Sequence, residues 1–286
     1  MWNSSPTIVA GGNGIGQNQN QLSTMVLDID IDQNQTLYIA DSWNQRVLKW
    51  STGSLHGVSL NVGVLTPKAI FLTSDSYMYV ASFNEVYKWS IDTAMITEPI
   101  RVVVDDANYQ DLFVDTSGSV YVSDAKNHRV IRWDRNWFLF GQVVAGGKNK
   151  GSALNQLNSP TAIYVDSGAT VYIADEINNR IVKWQNGAKE GEIVLGGTTD
   201  LKANETLQNP TSLTMDRYGN LYVGDAYRIQ KFKPRDKHGQ LLFDGKRGSS
   251  QITQLLRPLG LRYDAYGNLY VADSRNAQIL KFSCIQ

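Results

Sequence analysis

The sequence has little of several features that would point directly to a function. It contains one cysteine, Cys284, and three histidines among 286 residues. An internal disulfide is therefore excluded, and the paired Cys and His ligands of most zinc sites are missing. No apolar run approaches the roughly 20 residues of a membrane-spanning helix, so we expect no membrane insertion. The 27 basic residues are balanced by 27 acidic ones, and nucleic acid is not an expected partner because phosphate binding needs clustered positive charge.

The N-terminal stretch MWNSSPTIVAGG lacks the charged start and apolar block of a secretory signal. The sequence therefore indicates no particular compartment. We interpret the chain as one domain of a larger protein. That this domain is extracellular is one option.

Self-similarity is the most informative feature of the chain. The stretch VYIADEINNRIVKW, residues 171–184, recurs in related form at five other places. Each copy has an anchor residue at the end of its LYVAD-like segment, and successive anchors lie 41 to 51 residues apart, which is the length of one four-stranded propeller blade. The anchors are Asp41, Ser82, Asp124, Asp175, Asp225 and Asp273.

Each repeat is predicted to form four strands, with a tyrosine three residues before the anchor in the second strand and an aromatic residue closing the third. The tyrosines are Tyr38, Tyr79, Tyr121, Tyr172, Tyr222 and Tyr270. The N-terminal PTIVAGG resembles a fourth strand without its first three, whereas the last repeat lacks a fourth. We therefore predict an all-β, six-bladed β-propeller over residues 1–286 whose ring is closed by the N-terminal strand, residues 6–12. The predicted blades are 25–63, 67–106, 109–147, 160–197, 210–245 and 258–284.

With its LYVAD strands, its D-x-x-N-x-R hairpins (DSWNQR, DAKNHR, DEINNR) and the prolines before the inner strands, the chain resembles the NHL-repeat family of six-bladed propellers. The resemblance implies the fold and leaves the function open, because propellers include enzymes, lectins and binding modules. Zinc lyases similar to this family hold the metal with three inner-strand histidines, and the inner strands here contain none.

The hairpin DEINNR is predicted to be structural. Asp175, Asn178 and Arg180 recur in equivalent positions of other repeats, and catalytic residues are rarely needed several times around a ring. In this interpretation Glu176, Ile177 and Asn179 are free to face a partner.

No cofactor is expected, and calcium in the central channel is the one alternative that the sequence leaves open. Six-bladed hydrolases and lactonases similar to this chain hold a cation in the channel with carboxylate and amide oxygens. The inner strand LDIDID carries Asp28 and Asp30, and Asp111 takes the position of Asp28 in the third repeat. These three residues are the candidate metal ligands, with solvated carboxylates at the channel mouth as the alternative; otherwise no cofactor is expected.

Residues that vary between repeats form the candidate binding face, since hairpins and blade-to-blade loops share one side of a propeller. They are Trp43, Lys126, His128, Glu176, Tyr227 and Arg275. Because no convergent catalytic set is present, the leading hypothesis is a non-catalytic domain that binds a protein or glycan. A calcium-dependent hydrolase or lactonase is the alternative, and an RNA-binding NHL domain is a third hypothesis that requires a basic face.

Overall fold

A computed structural model describes residues 6–60, 63, 66–91, 99–135, 141–197, 206–236, 238–244 and 255–284. Within these residues six antiparallel four-stranded sheets form a ring, which confirms the predicted six-bladed propeller. The first blade contains β2 (Val26–Ile31), β3 (Leu37–Asp41), β4 (Arg46–Trp50) and β5 (Val58–Leu60). The second contains β6 (Ala69–Leu72), β7 (Tyr77–Ala81), β8 (Glu85–Ser90) and β9 (Ile100–Val104). The third contains β10 (Tyr109–Val114), β11 (Val120–Asp124), β12 (Arg129–Trp133) and β13 (Gln142–Gly146).

The other three blades repeat this pattern. The fourth contains β14 (Pro160–Val165), β15 (Val171–Asp175), β16 (Arg180–Trp184) and β17 (Glu192–Gly196). The fifth contains β18 (Pro210–Met215), β19 (Leu221–Asp225), β20 (Arg228–Phe232) and β21 (Gln240–Asp244). The sixth contains β22 (Pro258–Tyr263), β23 (Leu269–Asp273), β24 (Gln278–Phe282) and the N-terminal strand β1 (Thr7–Gly11).

The ring closes between the two ends of the chain. β1 pairs antiparallel with β24, from Thr7 opposite Lys281 to Gly11 opposite Gln278. This confirms the prediction that the first strand completes the last blade. The pairing satisfies the outer edge of β24, which would otherwise present unpaired amides and carbonyls.

A Tyr and a basic residue face each other across the second and third strands of every blade. Tyr38 lies opposite Lys49, for example, and Tyr121 opposite Arg132. In five blades the cationic group lies 5.2–5.9 Å from the tyrosine ring centroid. The aliphatic stems thus cover the buried rings while the charges reach the surface.

The two faces of the ring differ in the loops that they carry. Antiparallel order places the second-to-third-strand hairpins and the blade-to-blade connections on one side, called here the hairpin face. The first-to-second-strand turns lie on the opposite side, the turn face. Three of these turns have the sequence Asp-x-x-Gly, and Gly118, Gly219 and Gly267 adopt φ of 77–84°, a region that favours glycine.

Helical structure is minimal in the described residues, which contain the single 3₁₀ turns Glu176–Asn178 and Ser274–Asn276. None of the helices among these residues has the length and apolar character needed to cross a membrane.

Candidate functional site

In the fourth-blade hairpin, the side chains of Asp175, Asn178 and Arg180 contact one another and are called here the hairpin frame. This frame also binds the chain segment that enters its own blade. Arg180 donates from Nε to Oδ2 of Asp175 over 2.7 Å, and Asn178 donates to the same carboxylate over 2.8 Å. The guanidinium also donates to the carbonyls of Ser152, Ala153 and Gln156, which belong to the blade-to-blade connection. The frame therefore anchors this loop as well as the turn.

The first blade repeats the arrangement. Arg46 pairs with Asp41 over 2.8 Å and donates to the carbonyls of Gln17 and Gln21. In the sixth blade a glutamine takes the place of the arginine, and Gln278 donates to Asp273 over 2.9 Å. The recurring Asp, Asn and Arg groups are thus occupied by contacts that hold the fold.

The aspartates proposed as metal ligands connect neighbouring blades. Oδ2 of Asp28 accepts from the amide of Ile70 over 3.0 Å, and Oδ2 of Asp30 accepts from that of Leu72 over 2.7 Å. Oδ2 of Asp111 accepts from the amide of Ile163 over 2.8 Å. In each case a carboxylate on one inner strand binds the backbone of the next inner strand.

Arg262, on the inner strand β22, reaches these carboxylates across the channel. Its Nη2 donates to Oδ2 of Asp28 over 2.9 Å and lies 3.8 Å from Oδ1 of Asp111. Its Nε lies 4.0 Å from Oδ1 of Asp30. One cation from the sixth blade therefore faces carboxylates from the first and third, and it supplies positive charge at the position where the sequence suggested a metal ion.

Burial dominates the protonation of this cluster. It raises the pKa of Asp28 to about 8, against the lowering effect of Arg262 and with a further rise from Asp111. Burial likewise raises the pKa of Asp30 and of Asp111. For Arg262 burial acts to lower the pKa, but the three carboxylates outweigh it and the pKa is raised. The arginine thus stays charged, and burial makes each of the three carboxyl groups harder to ionise than a free aspartate.

This oxygen arrangement differs from a calcium site. Calcium takes six to eight oxygens, whereas here backbone amides and a guanidinium contact the carboxylates. Among the described residues, no three Asp, Glu, His or Cys side chains are placed to share one metal ion. The three aspartates as arranged do not fit calcium, and calcium binding stays a prediction.

A small cavity of about 120 Å³ lies above this cluster, where the channel opens on the hairpin face. Its lining combines the start of several inner strands with two charged residues from the surrounding loops. The lining residues that carry polar side chains are Asp28, Gln110, Asp111, Thr161, Glu176, Thr211, Ser212, Arg257 and Arg262. Asp28, Asp111 and Arg262 form part of both the cluster and the cavity, so the cluster lines this polar recess.

The backbone around this mouth is strained at four equivalent positions. Thr66, Ser159, Asn209 and Arg257 each precede a proline and have φ of 49–68°, although a residue before proline strongly prefers an extended conformation. Neighbouring hairpins hold two of them. The amide of Ser159 donates to Nδ1 of His128 over 3.2 Å, and that of Asn209 donates to Oδ1 of Asn179 over 2.7 Å.

Lys68 is a further charged residue at the start of an inner strand. Its Nζ donates to Oδ1 of Asn108 and lies 4.3 Å from the ring centroid of Phe83. Burial lowers the pKa of Lys68 to about 8. The residue therefore links the second and third blades.

The predicted binding-face residues fall into two groups. Trp43, Tyr227 and Arg275 are exposed at hairpin tips, and Lys126 is exposed beside Asp106, with which it forms an ion pair. His128 is partly buried and holds the Ser159 backbone as described.

Glu176 and Asn179 belong with His128, which corrects the interpretation that both are free. Glu176 is half-buried and accepts from the hydroxyl of Ser159 over 3.4 Å, and burial raises its pKa. The side chain of Asn179 is occupied by the Asn209 amide. Ile177 alone of the three is an exposed side chain without such a contact.

Sequence reasoning missed Arg262 and Phe83. Arg262 takes the same repeat position as Asp30, and blades six and one are neighbours in a closed ring, so their opposite charges were a usable signal. Phe83 lies in the shortened second hairpin and is exposed; the two-residue deletion there obscured its equivalence to the other hairpin tips.

The sheet order, the closed ring and the repeated hairpin frames together define a six-bladed β-propeller of the repeat type. The family model described as SMP-30/Gluconolactonase/LRE-like region matches residues 29–255, and the chain belongs to that family. The NHL-repeat family is a related type of propeller, and the assignment of this chain to the NHL-repeat type stays an interpretation. No curated protein matches the sequence at a significant level.

Several solved structures share the fold. An auxiliary nutrient binding protein from Bacteroides thetaiotaomicron is 15% identical, with a TM-score of 0.75 over 99% of this chain and 77% of its own. Virginiamycin B lyase from Staphylococcus aureus is 12% identical, with a TM-score of 0.64 over 94% of this chain and 98% of its own. A structure of a nidogen/laminin complex is 17% identical, with a TM-score of 0.63 over 82% of this chain and 84% of its own. At these identities the likeness shows the fold alone.

Proposed function

We propose that this propeller is a non-catalytic domain that binds a protein or a glycan through its hairpin face. The observation that carries the proposal is that two sets of hairpin residues have different roles. The frame residues are occupied by structural contacts, whereas the tips carry large apolar side chains that no frame contact uses. These exposed tip residues are Trp43, Phe83, Ile177 and Tyr227.

Their chemistry suits recognition. Trp43 is 69% exposed, and aromatic side chains of this kind are typical anchors of binding interfaces. The hairpin beneath Trp43 is fixed by the pairing of Arg46 with Asp41, so little conformational freedom would be lost when a partner binds. A nutrient binding protein and a nidogen/laminin complex with the same fold are compatible with such a role.

An array experiment tests the proposal. The purified chain would be applied to printed glycan and protein arrays, and each ligand retained would be measured in solution with the Trp43→Ala and Phe83→Ala variants. We expect each substitution to weaken binding by about 2 kcal/mol, the loss typical of an interface anchor. Leu55→Ala is the matched control, because Leu55 is also exposed but lies outside the hairpin tips. Equal affinity of wild type and both tip variants would contradict the proposal.

A calcium-dependent hydrolase or lactonase is the second candidate, and it rests on the family alone, because the arrangement of Asp28, Asp30 and Asp111 does not fit calcium. Lactone and ester turnover measured with and without millimolar calcium tests it. Calcium-dependent hydrolysis that is lost in Asp111→Ala would replace the binding proposal. RNA binding is the third candidate, and a salt-dependent interaction with single-stranded RNA would be its signature.

A further inference from the structure

A second cavity, of about 790 Å³, opens on the turn face between the fifth and sixth blades. Its walls come from the first turns of both blades, from the end of β20 and the start of β21, and from Cys284. Four tyrosines line it: Tyr218, Tyr222, Tyr263 and Tyr266. Its size is that of a small-molecule site. Because it lies on the face opposite the hairpins, it is independent of the function proposed above.

Two of these tyrosines are not required by the fold. Tyr218 and Tyr266 are 69% and 65% exposed, and they occupy the same position in the turns DRYG and DAYG. The third blade has Ser117 there, in the turn DTSG. In all three turns the amide of this residue donates to the preceding aspartate over 2.9 Å. The turn therefore forms equally well without the aromatic ring.

Both rings are carried on rigid supports. Oδ1 of Asp264 accepts from the amides of Tyr266 and Asn268, and Oδ2 accepts from Nδ2 of Asn268. Asp216 is bound in the same way by Tyr218 and Asn220. These bonds hold the turn backbone that carries the two rings in place, which lowers the entropic cost of binding a ligand.

Polar groups surround the rings. The guanidinium of Arg217 lies 5.0 Å from the Tyr218 ring centroid and donates to its hydroxyl over 2.9 Å. Lys231 lies 5.3 Å from the centroid of Tyr222, and Gln240 lies at the exposed start of β21. The cavity thus combines flat apolar surfaces with amide, ammonium and guanidinium donors.

We propose that this cavity binds a short oligosaccharide. A sugar ring has an apolar C–H face that packs on an aromatic ring and a hydroxyl edge that needs hydrogen-bond partners, so it matches both parts of the lining. Equivalent turns of adjacent blades present two such rings, an arrangement suited to a ligand built from repeated rings. The third residue of the turn is tyrosine in the two blades that line the cavity, whereas it is serine in the third blade.

The single cysteine provides a direct readout. Cys284 lines the cavity and is half-buried, so a ligand there should slow its reaction with a maleimide. The probes are maltohexaose, cellohexaose, mannohexaose and oligogalacturonate at millimolar concentration, the last of which carries carboxylates that could meet Arg217 and Lys231. Affinity would be measured in parallel by titration calorimetry. We expect at least one probe to bind and to protect Cys284.

Tyr218→Ser and Tyr266→Ser reproduce the turn of the third blade and should fold normally. Each is expected to weaken binding about tenfold, the loss typical of one aromatic contact. Asn34→Ser is the matched control, because Asn34 takes the same turn position in the first blade, away from the cavity. The proposal is overturned if no probe binds, if a bound probe leaves the labelling rate of Cys284 unchanged, or if both tyrosine variants bind as tightly as wild type.

Discussion

Nη2 of Arg262 donates to Oδ2 of Asp28 over 2.9 Å, which joins the inner strand of the last blade to that of the first. The two residues are 234 positions apart in the sequence. Their side chains are only 16% and 6% exposed. The pair therefore ties the two ends of the repeat array together at the channel, as β1 and β24 do at the periphery.

Removing the arginine should destabilise the fold strongly. Arg262→Met leaves Asp28, Asp30 and Asp111 without their common counter-charge, and loss of one partner from a buried pair costs about 3–5 kcal/mol. Urea unfolding would measure the change. The double variant Arg262→Met/Asp111→Asn should recover part of the loss, because one of the carboxyl groups that face the arginine is then replaced by an uncharged amide. An Arg262→Met variant as stable as wild type would refute this role.

Asp28 predicts a specific dependence of stability on pH. Its pKa is raised to about 8 in the folded chain, whereas an unfolded aspartate has a pKa of about 3.9. Between these values the folded state holds a proton that the unfolded state has released. The contribution of Asp28 to stability is therefore full below about pH 4 and is lost as the pH rises to about 8.

Asp28→Asn isolates this effect, because asparagine resembles the protonated acid at every pH. Relative to wild type, the variant should gain stability on the order of 1 kcal/mol for each pH unit between pH 5 and 8. Denaturant unfolding of both proteins across that range provides the measurement. A difference that is independent of pH would show that Asp28 is already ionised in the folded state.

The repeat made the fold predictable from sequence. Six copies of one strand and hairpin pattern identify the blade, and the N-terminal PTIVAGG completes the sixth one, as the pairing of β1 with β24 confirms. These features depend on local sequence and on spacing. They can be predicted from the sequence because the same strand and hairpin pattern occurs six times.

The channel was harder to predict because its contacts lie between repeats. Asp28 and Asp111 were singled out as unusual, but their partners are the amides of Ile70 and Ile163, which carry no sequence signal. Similarly, Glu176 is variable between repeats and yet contacts Ser159 of its own blade. Variation between repeats identifies residues that the hairpin fold does not require. It does not show whether such a residue contacts a separate molecule or a neighbouring loop of the same chain.

The hairpin frames should differ in their contribution to stability. The side chain of Arg180 is 3% exposed and that of Arg129 is 22% exposed. Arg180 also binds three carbonyls of the connecting loop. We therefore expect Arg180→Ala to cost about 3–5 kcal/mol and Arg129→Ala about 1–3 kcal/mol, as measured by urea unfolding. Hydrogen exchange of residues 148–157 should rise in Arg180→Ala and stay unchanged in Arg129→Ala; equal effects would contradict the proposed anchoring of the loop.

Gly260 permits the close approach of the sixth and first inner strands. A Cβ at this position would lie 3.0 Å from the Cα and Oδ1 of Asp28 and from the amide nitrogen of Ile29. Because two of these atoms are backbone, relief requires the strands to separate, and we expect Gly260→Ala to cost about 1–3 kcal/mol. Gly168→Ala is the control, since its nearest neighbour is a side-chain oxygen at 3.3 Å on an exposed turn. Thermal unfolding of the two variants would compare them, and a Gly260→Ala variant no less stable than Gly168→Ala would mean that the inner strands can separate at this point without weakening the closed ring.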